Sequence, residues 1–493
     1  MAENRSVTGH VLGLMPALNL DRPLRVRFAP SPVGTLHVGA ARIALFNWLL
    51  ARKTGGRFVL RIDDTDEALG DAGGEAAIVR DLRWLGLEWD EGPDTGGPAA
   101  PYRQSERSPI HGEHVARLLA NGAAYERDGA VWFRMPPGTT VVHDRIKGDV
   151  AFDHGALADF VIRKSNGTTT SNLATAVDDA TMRIDLVLRG DDHLDNAPRQ
   201  ILIARALGYE PPVFAHTGSI VNAAHAKLSE GDDATGIDEL RRAGFLPEAL
   251  IEHLALLGWS PPEPRETFTL DELVELFDVA RLGGSPAEFD AGRLRAFNGR
   301  ALRALPRDRY HALVAEWMQR YGLLEEPVPD AARRWIETFL DAYGSELHTL
   351  REAIEEIAKL REEAVTLPAL ELERLRNRHV LFFLDAVSQY VDAQAELRGL
   401  PLGADLPEIA KEFGLAANDA FAAVRMAITG SHDGPPLALL FPLLGHDRIM
   451  IRIGAVSSHI LHGRGLEPIK YGPGGVPFET IQPTPPGPTT SSG

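Results

Sequence analysis

Cysteine is absent from the whole chain of 493 residues. Its absence excludes disulfides, cysteine-ligated zinc, iron–sulfur clusters and thiol nucleophiles. A chain without cysteine suits a reducing compartment, and we expect a cytoplasmic protein.

Long apolar runs are missing as well. No stretch approaches the ~20 apolar residues that a helix needs to span a bilayer. The apolar stretch at residues 11–20 is interrupted by Pro16 and Asn19, and no small-residue cleavage site follows it. We therefore expect neither a signal peptide nor a membrane partner.

The chain also lacks an excess of positive charge. The 51 lysines and arginines are outnumbered by 69 aspartates and glutamates, which gives a formal net charge of -18. Such a chain has no overall field that attracts nucleic acid, so a nucleic-acid partner must bind a local basic patch. The composition, 44% hydrophobic and 24% charged, is that of a globular protein, and the length allows about three domains.

The first regular pattern in the chain is a βαβ unit. Residues 24–29 have the pattern of a buried strand, residues 40–53 carry apolar side chains at helical spacing, and residues 57–63 form a second apolar strand. Two parallel strands joined by a helix predict the α/β class.

Later segments predict a mixed region and then a helical one. Helical spacing predicts helices near 74–86, 108–122 and 197–207. Short apolar segments predict strands at VWFRM, DFVIRK and DLVLRGDDH. From about Leu240 the pattern is almost wholly helical. The tail from Tyr471 is rich in Pro, Gly, Thr and Ser and is predicted to be disordered.

The loop Ser31–Gly39 joins the first strand to its helix. At such a junction the backbone N–H groups and the positive end of the helix dipole face the sheet edge, where phosphate binds well. His37 can donate to a phosphate oxygen, and Gly39 lets a base or ribose approach the backbone. The alternative is an ordinary turn with a surface histidine, because short glycine motifs recur by chance.

The acidic segment Arg61–Asp66 follows the second strand. Ligands of open parallel sheets bind at the carboxyl ends of strands, so these carboxylates can hold an ammonium group, such as that of an amino acid. The alternative is that Thr65 or Asp66 caps the next helix.

Two further segments can carry chemistry. Residues 189–193 read RGDDH after a strand, and Lys227-Leu228-Ser229 lies in a polar loop. A mobile lysine there can neutralise a polyphosphate leaving group. The alternative for Lys227 is a solvated surface lysine.

In order and spacing these segments resemble the class I aminoacyl-tRNA synthetases, and among them the glutamyl-tRNA synthetase family. Residues 27–47 look like the family's first signature, and His37-Val38-Gly39 match the first three positions of its HIGH motif. The similarity covers about residues 24–455 and continues through LRIDDTD, PYRQSER, FDHGALADFVIRKSNG, VLRGDDH, KLS, FLPEALIEHLALLGW and VRMAITGSHDGPPL.

The resemblance implies a Rossmann-like class I synthetase catalytic domain of the α/β class, followed by all-α stem-contact and anticodon-binding domains. The implied borders are an N-terminal extension at 1–23, a catalytic domain at 24–235 with an inserted acceptor-binding region at about 100–170, a stem-contact domain at 236–325, an anticodon-binding domain at 326–455 and a largely disordered tail at 456–493.

The resemblance also implies an amino-acid site. Arg27 and Arg189 match the arginines that hold the γ-carboxylate of glutamate, and their planar forks suit both oxygens of a carboxylate. Asp63 stands where the family usually has the glutamate that receives the α-ammonium. The remaining residues implied to bind the substrate are Ala29, Ser31 and Asn172.

For ATP, the resemblance implies binding by His37, Gly39, Lys227, Leu228 and Ser229, the first three of them catalytic. The implied reaction is that of a glutamate–tRNA ligase in protein biosynthesis: ATP with Mg²⁺ adenylates glutamate, and the glutamyl group passes to the 3′ end of tRNA. Such catalysis is mostly positioning and electrostatic stabilisation. We expect no zinc, and a monomer whose partners are tRNA and a small acid.

The second signature departs from the family. Its KLSKR becomes Lys227-Leu228-Ser229-Glu230-Gly231, so an anion replaces a cation beside the triphosphate. Losing one pre-placed charge donor typically costs ~100- to 1,000-fold in rate. One alternative function is therefore a catalytically impaired protein that binds ATP or tRNA.

The substrate segment departs too. The family's TYNFAVVVDDHLMG becomes TSNLATAVDDATMR at residues 170–183, with Ser171 for tyrosine and Ala180 for histidine. These changes predict a roomier pocket, and the acceptor-stem insertion between Tyr125 and Trp132 is short. A second alternative is a specialised biosynthetic paralogue that activates a related carboxylic acid.

Arginines in the C-terminal helical region are candidate phosphate contacts for tRNA. They are Arg374, Arg376, Arg378, Arg425, Arg448 and Arg452. For each of them the alternative is a solvated helix surface.

Overall fold

The computed structural model describes residues 22–65, 72–228, 235–265, 267–363, 365–367, 371–372 and 375–462. The predictions for the extension before residue 22, for Asp66, Ser229, Glu230 and Arg374, and for the tail beyond residue 462 lie outside these residues. The chain divides into a first unit, the residues through Arg242 with Pro247–Phe297, and a second unit, Ala243–Leu246 with the residues from Asn298. The borders 24–235, 236–325 and 326–455 stay a prediction.

The strands belong to the first unit. In chain order they are β1 (Arg25–Phe28), β2 (Arg57–Leu60), β3 (Ala124–Arg127), β4 (Ala130–Phe133), β5 (Thr139–Asp144), β6 (Gly148–Asp153), β7 (Phe160–Arg163), β8 (Leu186–Gly190), β9 (Val213–Thr217), β10 (Ile220–Val221) and β11 (Ala287–Glu288). The main sheet has the order β2-β1-β8-β9-β5-β6 and is parallel except for β6. A smaller antiparallel sheet has the order β3-β4-β7, and β10 pairs with β11.

The helices follow in the order α1 (Val38–Thr54), α2 (Ala72–Trp84), α3 (Ser108–Ala120), α4 (Ser171–Thr181), α5 (Ala197–Ala206), α6 (Ile237–Arg242), α7 (Pro247–Ala255), α8 (Leu270–Leu276), α9 (Ala291–Ala304), α10 (Arg307–Arg320), α11 (Asp330–Tyr343), α12 (Leu350–Arg361), α13 (Arg378–Asp392), α14 (Leu402–Glu412), α15 (Ala417–Thr429) and α16 (Leu437–His462). The part of the second unit that the structure describes contains helices and no strand. No helix in the described ranges has the length and apolar character needed to cross a membrane.

The predicted βαβ unit is confirmed. β1 pairs in parallel with β2, and Val26 lies opposite both Phe58 and Leu186. All three side chains are buried, as expected for a parallel strand covered on both faces. Gly55 ends α1 in the left-handed conformation with φ 62°, which brings the chain back along the sheet.

Three strands of the main sheet were not predicted: β5, β6 and β9. β9 carries His216 and Thr217, and β5 ends at Asp144, all of them fully buried. Polar residues in strands weaken the apolar pattern by which a buried strand is predicted. The alternating segments VWFRM and DFVIRK do form strands, β4 and β7.

Candidate active site

The carboxyl ends of β1 and β8 open onto a cavity of about 610 Å³ in the first unit. Loops that are distant in sequence meet there because parallel strands end at the same edge of a sheet. The described residues that the sequence analysis assigned to substrate or ATP all line it: Arg27, Ala29, Ser31, His37, Gly39, Asp63, Asn172, Arg189, Lys227 and Leu228.

His37 caps helix α1. Its Nδ1 accepts hydrogen bonds from the backbone N–H groups of Gly39 at 3.0 Å and Ala40 at 3.3 Å. An imidazole nitrogen that accepts carries no proton, so in the neutral ring the proton is on Nε2. His37 therefore lines the cavity as a tautomer whose Nε2–H can donate to a phosphate oxygen.

This cap involves two groups that were expected to contact a ligand. The N–H groups of Gly39 and Ala40 donate to the imidazole of His37 in this structure. The space beside Gly39 is filled by the same ring, since a Cβ on Gly39 would lie 2.8 Å from Cε1 of His37. The glycine is therefore required first for the approach of His37, because a larger side chain would push the ring away.

A buried ionic network holds Arg27. Its Nε and Nη2 donate to the Asp179 carboxylate at 3.3 and 3.4 Å, and Arg61 Nη1 donates to the same carboxylate at 2.7 Å. Burial would raise the pKa of Asp179, but the charges of Arg27 and Arg61 outweigh it and keep the pKa below its usual value. Asp179 therefore stays ionised between two arginines.

Asp63 is tied to the same network through Arg61, whose Nε donates to Asp63 Oδ1 at 2.8 Å. Burial raises the pKa of Asp63, although Arg61 opposes the shift. The Thr65 hydroxyl donates to Gln104 Oε1 at 3.4 Å. The alternative in which Thr65 or Asp66 caps the next helix stays a prediction, because residues 66–71 lie outside the described part of the chain.

Arg189, on β8, is held by residues of the neighbouring strand β9 and of the segment that follows β8. Its Nε donates to His216 Nε2 at 3.0 Å, its Nη2 donates to the His193 carbonyl at 3.2 Å, and its guanidinium lies 5.5 Å from the centre of the Phe214 ring. Burial, with repulsion from Arg27, lowers the pKa of Arg189 to about 9. The group is still a cation at neutral pH, and it shares the cavity with a second buried cation.

The α4 segment supplies Asn172, whose Oδ1 accepts from Gln200 Nε2 at 3.4 Å. Ser171 lines the cavity, and the roomier pocket that its small side chain predicts stays a prediction. Ala180 is not among the described residues that line the cavity. Of the two departures from the family that predict a wider pocket, only Ser171 therefore borders the cavity.

Lys227 lies at the edge of the cavity. Its Nζ donates to Asp192 Oδ2 at 2.9 Å, and both side chains are largely exposed, at 56% and 44%. An exposed ion pair of this kind is weak, of the order of 1 kcal/mol or less, so a triphosphate can draw the lysine away. Among the residues described, no group of three or more carboxylate or histidine side chains could hold a metal ion.

Gln104 lines the cavity and was missed by the sequence analysis as a site residue. Its side chain is almost fully buried, and its Nε2 has no hydrogen-bond partner within the described protein. A buried amide without an acceptor costs free energy that a ligand can recover. The segment PYRQSER carried Gln104 only as a family match, because nothing local shows which way its amide points.

The arginines of the second unit differ in exposure. Arg452 is 2% exposed and donates to the carbonyls of Lys359, Ile428 and Glu362. It is therefore a structural residue, and the expectation that it contacts phosphate is wrong. Arg425 donates to the Pro435 carbonyl at 2.6 Å. Exposed arginines remain at positions 376 and 378.

Comparison with known proteins identifies the class. Residues 23–131 and 126–296 match the family "tRNA synthetases class I (E and Q), catalytic domain", and residues 309–456 match "Anticodon binding domain". Together with the parallel sheet and the helix α1 that His37 caps at its edge, these matches define a class I aminoacyl-tRNA synthetase.

Curated relatives narrow the class to a family. The chain is 37% identical to the glutamate–tRNA ligase of Desulforudis audaxviator, over 87% of this chain and 95% of the relative. It is 34% identical to the glutamate–tRNA ligase of Desulfitobacterium hafniense, over 90% of this chain and 100% of the relative. The chain belongs to the glutamate–tRNA ligase family. The crystal structure of a glutamate tRNA ligase from Elizabethkingia meningosepticum has the same fold, with TM-score 0.79 at 24% identity over 89% of this chain and 100% of that chain.

Proposed function

We propose that this protein is a glutamate–tRNA ligase. The observation that carries the proposal is the pair of buried arginines, Arg27 and Arg189, on one cavity. They are close enough for the charge of Arg27 to lower the pKa of Arg189. Asp179 pairs with Arg27, whereas the contacts of Arg189 within the described residues are His216 and the His193 carbonyl and include no carboxylate. A second anion is therefore favoured at Arg189, and a carboxylate with two oxygens suits the guanidinium forks.

The same pair supports selection of glutamate over glutamine. A carboxylate accepts at both oxygens, whereas the amide of glutamine places an N–H against a guanidinium donor. Leaving a buried charge without its partner costs about 3 to 5 kcal/mol, which is ample discrimination between the two side chains.

In the first step an oxygen of the glutamate α-carboxylate bonds to the α-phosphorus of ATP, and the bond to pyrophosphate breaks. Pyrophosphate leaves as its magnesium complex. His37 lines the cavity and is proposed to donate to a phosphate oxygen, and Lys227, released from Asp192, can follow the charge that grows on pyrophosphate. No side chain of the protein has to act as a nucleophile.

In the second step a hydroxyl of the terminal ribose of tRNA bonds to the acyl carbon, and AMP leaves. The hydroxyl proton passes to the leaving phosphate or to water. The match of residues 309–456 to an anticodon-binding domain supports tRNA as the acceptor. Mg²⁺ with ATP, the absence of zinc, the monomeric state and the cytoplasmic location belong to the same proposal.

Attachment of radiolabelled glutamate to tRNA, dependent on ATP, tests the proposal. We expect charging with glutamate and no detectable charging with glutamine. An Arg189→Ala variant should need at least about a hundredfold more glutamate for half-maximal charging. Its dissociation constant for ATP, measured by direct binding, should stay within about twofold of the wild-type value, because the guanidinium binds the acid and not the nucleotide. Absence of charging by a folded wild-type protein, with a known ligase active on the same tRNA, would defeat the proposal.

One observation favours a second candidate, a paralogue that activates a larger related acid. Ser171 borders the cavity where the family has tyrosine, so the pocket has room beside the substrate. Faster activation of an acid other than glutamate, in a panel with and without tRNA, would establish this candidate. An impaired binding protein would retain tRNA and form no adenylate with any acid.

A further inference from the structure

A buried row of polar side chains crosses the main sheet behind the cavity. Arg189 on β8 lies directly opposite His216 on β9, and Asp144 ends the next strand, β5. The side chains of His216 and Asp144 are fully buried, and that of Arg189 is 6% exposed. Three buried ionisable side chains on adjacent strands are costly unless each has a partner.

The hydrogen bonds fix the proton of the histidine. Asp144 Oδ2 lies 2.6 Å from His216 Nδ1, and Arg189 Nε donates to His216 Nε2 at 3.0 Å. Since the arginine N–H is always a donor, His216 Nε2 accepts, and the ring proton is on Nδ1 and is donated to Asp144.

The aspartate is itself anchored. Asp144 Oδ1 accepts from the backbone N–H groups of Ile146 at 2.9 Å and Lys147 at 2.8 Å. Burial lowers the pKa of His216, and so do the charges of Arg189 and Arg27, while Asp144 opposes the shift. The net lowering keeps the ring neutral at physiological pH, and only the neutral ring can accept from Arg189.

We propose that His216 and Asp144 are positioning residues for the acid-binding arginine, Arg189. Asp144 selects the tautomer of His216, and His216 fixes the rotation of the Arg189 guanidinium. The remaining N–H groups of Arg189 then face the distal carboxylate of the substrate. The inference rests on the proposed function, because it takes that carboxylate as the partner of Arg189. His216 acts through Arg189 and is not among the described residues that line the cavity.

A pair of matched variants tests the role. In His216→Gln the side-chain oxygen can take the place of Nε2 and accept from Arg189, whereas in His216→Asn the shorter amide can reach Asp144 but not Arg189. We expect His216→Asn to raise the KM for glutamate about tenfold to a hundredfold, the usual effect of losing a hydrogen bond to a charged group. His216→Gln should stay within about threefold of wild type, since it keeps that hydrogen bond.

The readouts separate positioning from folding. Pyrophosphate exchange in the presence of tRNA gives the KM for glutamate and for ATP, and melting temperature reports folding. We expect the KM for ATP to change by less than about twofold in both variants, and the preference for glutamate over glutamine to fall in His216→Asn. Equal glutamate KM values in folded His216→Asn and wild-type protein would overturn the positioning role.

A measurement on the wild-type protein covers the case in which the variants do not fold. The ¹⁵N spectrum of histidine-labelled protein should show His216 as a neutral ring protonated on Nδ1, and a ring protonated on Nε2 would overturn the inference. Wild-type protein that activates no glutamate at all would instead defeat the proposed function, so the two failures are distinguishable.

Discussion

Replacing Asp179 by asparagine removes a charge that accepts hydrogen bonds from two buried arginines. The carboxylate accepts from Arg27 at 3.3 and 3.4 Å and from Arg61 at 2.7 Å, and no side chain of the three is more than 6% exposed. Removing one partner of a buried ion pair costs about 3 to 5 kcal/mol, because the other charge stays out of water. Arg61 keeps Asp63 at 2.8 Å, so the loss falls mainly on Arg27, and we expect about 3 kcal/mol.

A loss of this size lowers the melting temperature of the first unit by roughly 6 to 12 °C. The KM for glutamate should rise as well, because Arg27 loses the contact that orients it. Glu316→Gln is the matched carboxylate-to-amide control, since its pair with Arg320 is exposed and worth about 0.3 to 0.5 kcal/mol. Asp179→Asn that melts within about 1 °C of wild type, with an unchanged KM for glutamate, would refute the reasoning, because a buried pair cannot be lost at so small a cost.

Three further changes test other parts of the account. Gly39→Ala places a Cβ 2.8 Å from Cε1 of His37, so we expect the ring to move and pyrophosphate exchange to slow by about tenfold to a hundredfold with little change in glutamate KM; an unchanged rate would mean that the cap is dispensable. Burial lowers the pKa of His253 to about 4 from its usual 6.5, so the folded state binds fewer protons between these pH values and loses stability as the pH falls through them. Between pH 7 and pH 4.5 the free energy of unfolding in urea should fall by about 2 to 3 kcal/mol less in His253→Phe than in wild type. An equal fall in both proteins would contradict the lowered pKa of His253. Glu230→Lys should raise the adenylation rate about tenfold or more by returning a cation to the pyrophosphate side; an unchanged or lower rate would show that the loop does not approach ATP as in the family.

The βαβ unit and the site loops were predictable because their signals are local. A buried strand, a glycine-containing loop and a helix follow one another within residues 24–63, and the cavity collects the predicted residues at the end of that unit. The carboxyl-edge rule for parallel sheets is enough to expect the loops after these strands to lie together. The choice of Arg27 and Arg189 as binding residues came from the family resemblance.

The partners of those residues were not predictable, because they depend on pairing between distant strands and helices. Asp179 meets Arg27 across 152 positions, and His216 meets Arg189 only because β9 lies beside β8. The cap that His37 Nδ1 makes on its own helix was not predicted either, because the usual capping residues are Ser, Thr, Asp and Asn.

Pyrophosphate exchange with a panel of carboxylic acids, with and without tRNA, tests the central claim most directly. The claim is that Arg27 and Arg189 make this cavity a site for the distal carboxylate of glutamate. We predict that glutamate supports the fastest exchange, that glutamine and acids without a distal carboxylate support none, and that Arg27→Ala abolishes the preference. Faster exchange with an acid that lacks a distal carboxylate, or equal exchange with glutamate and glutamine, would contradict the account.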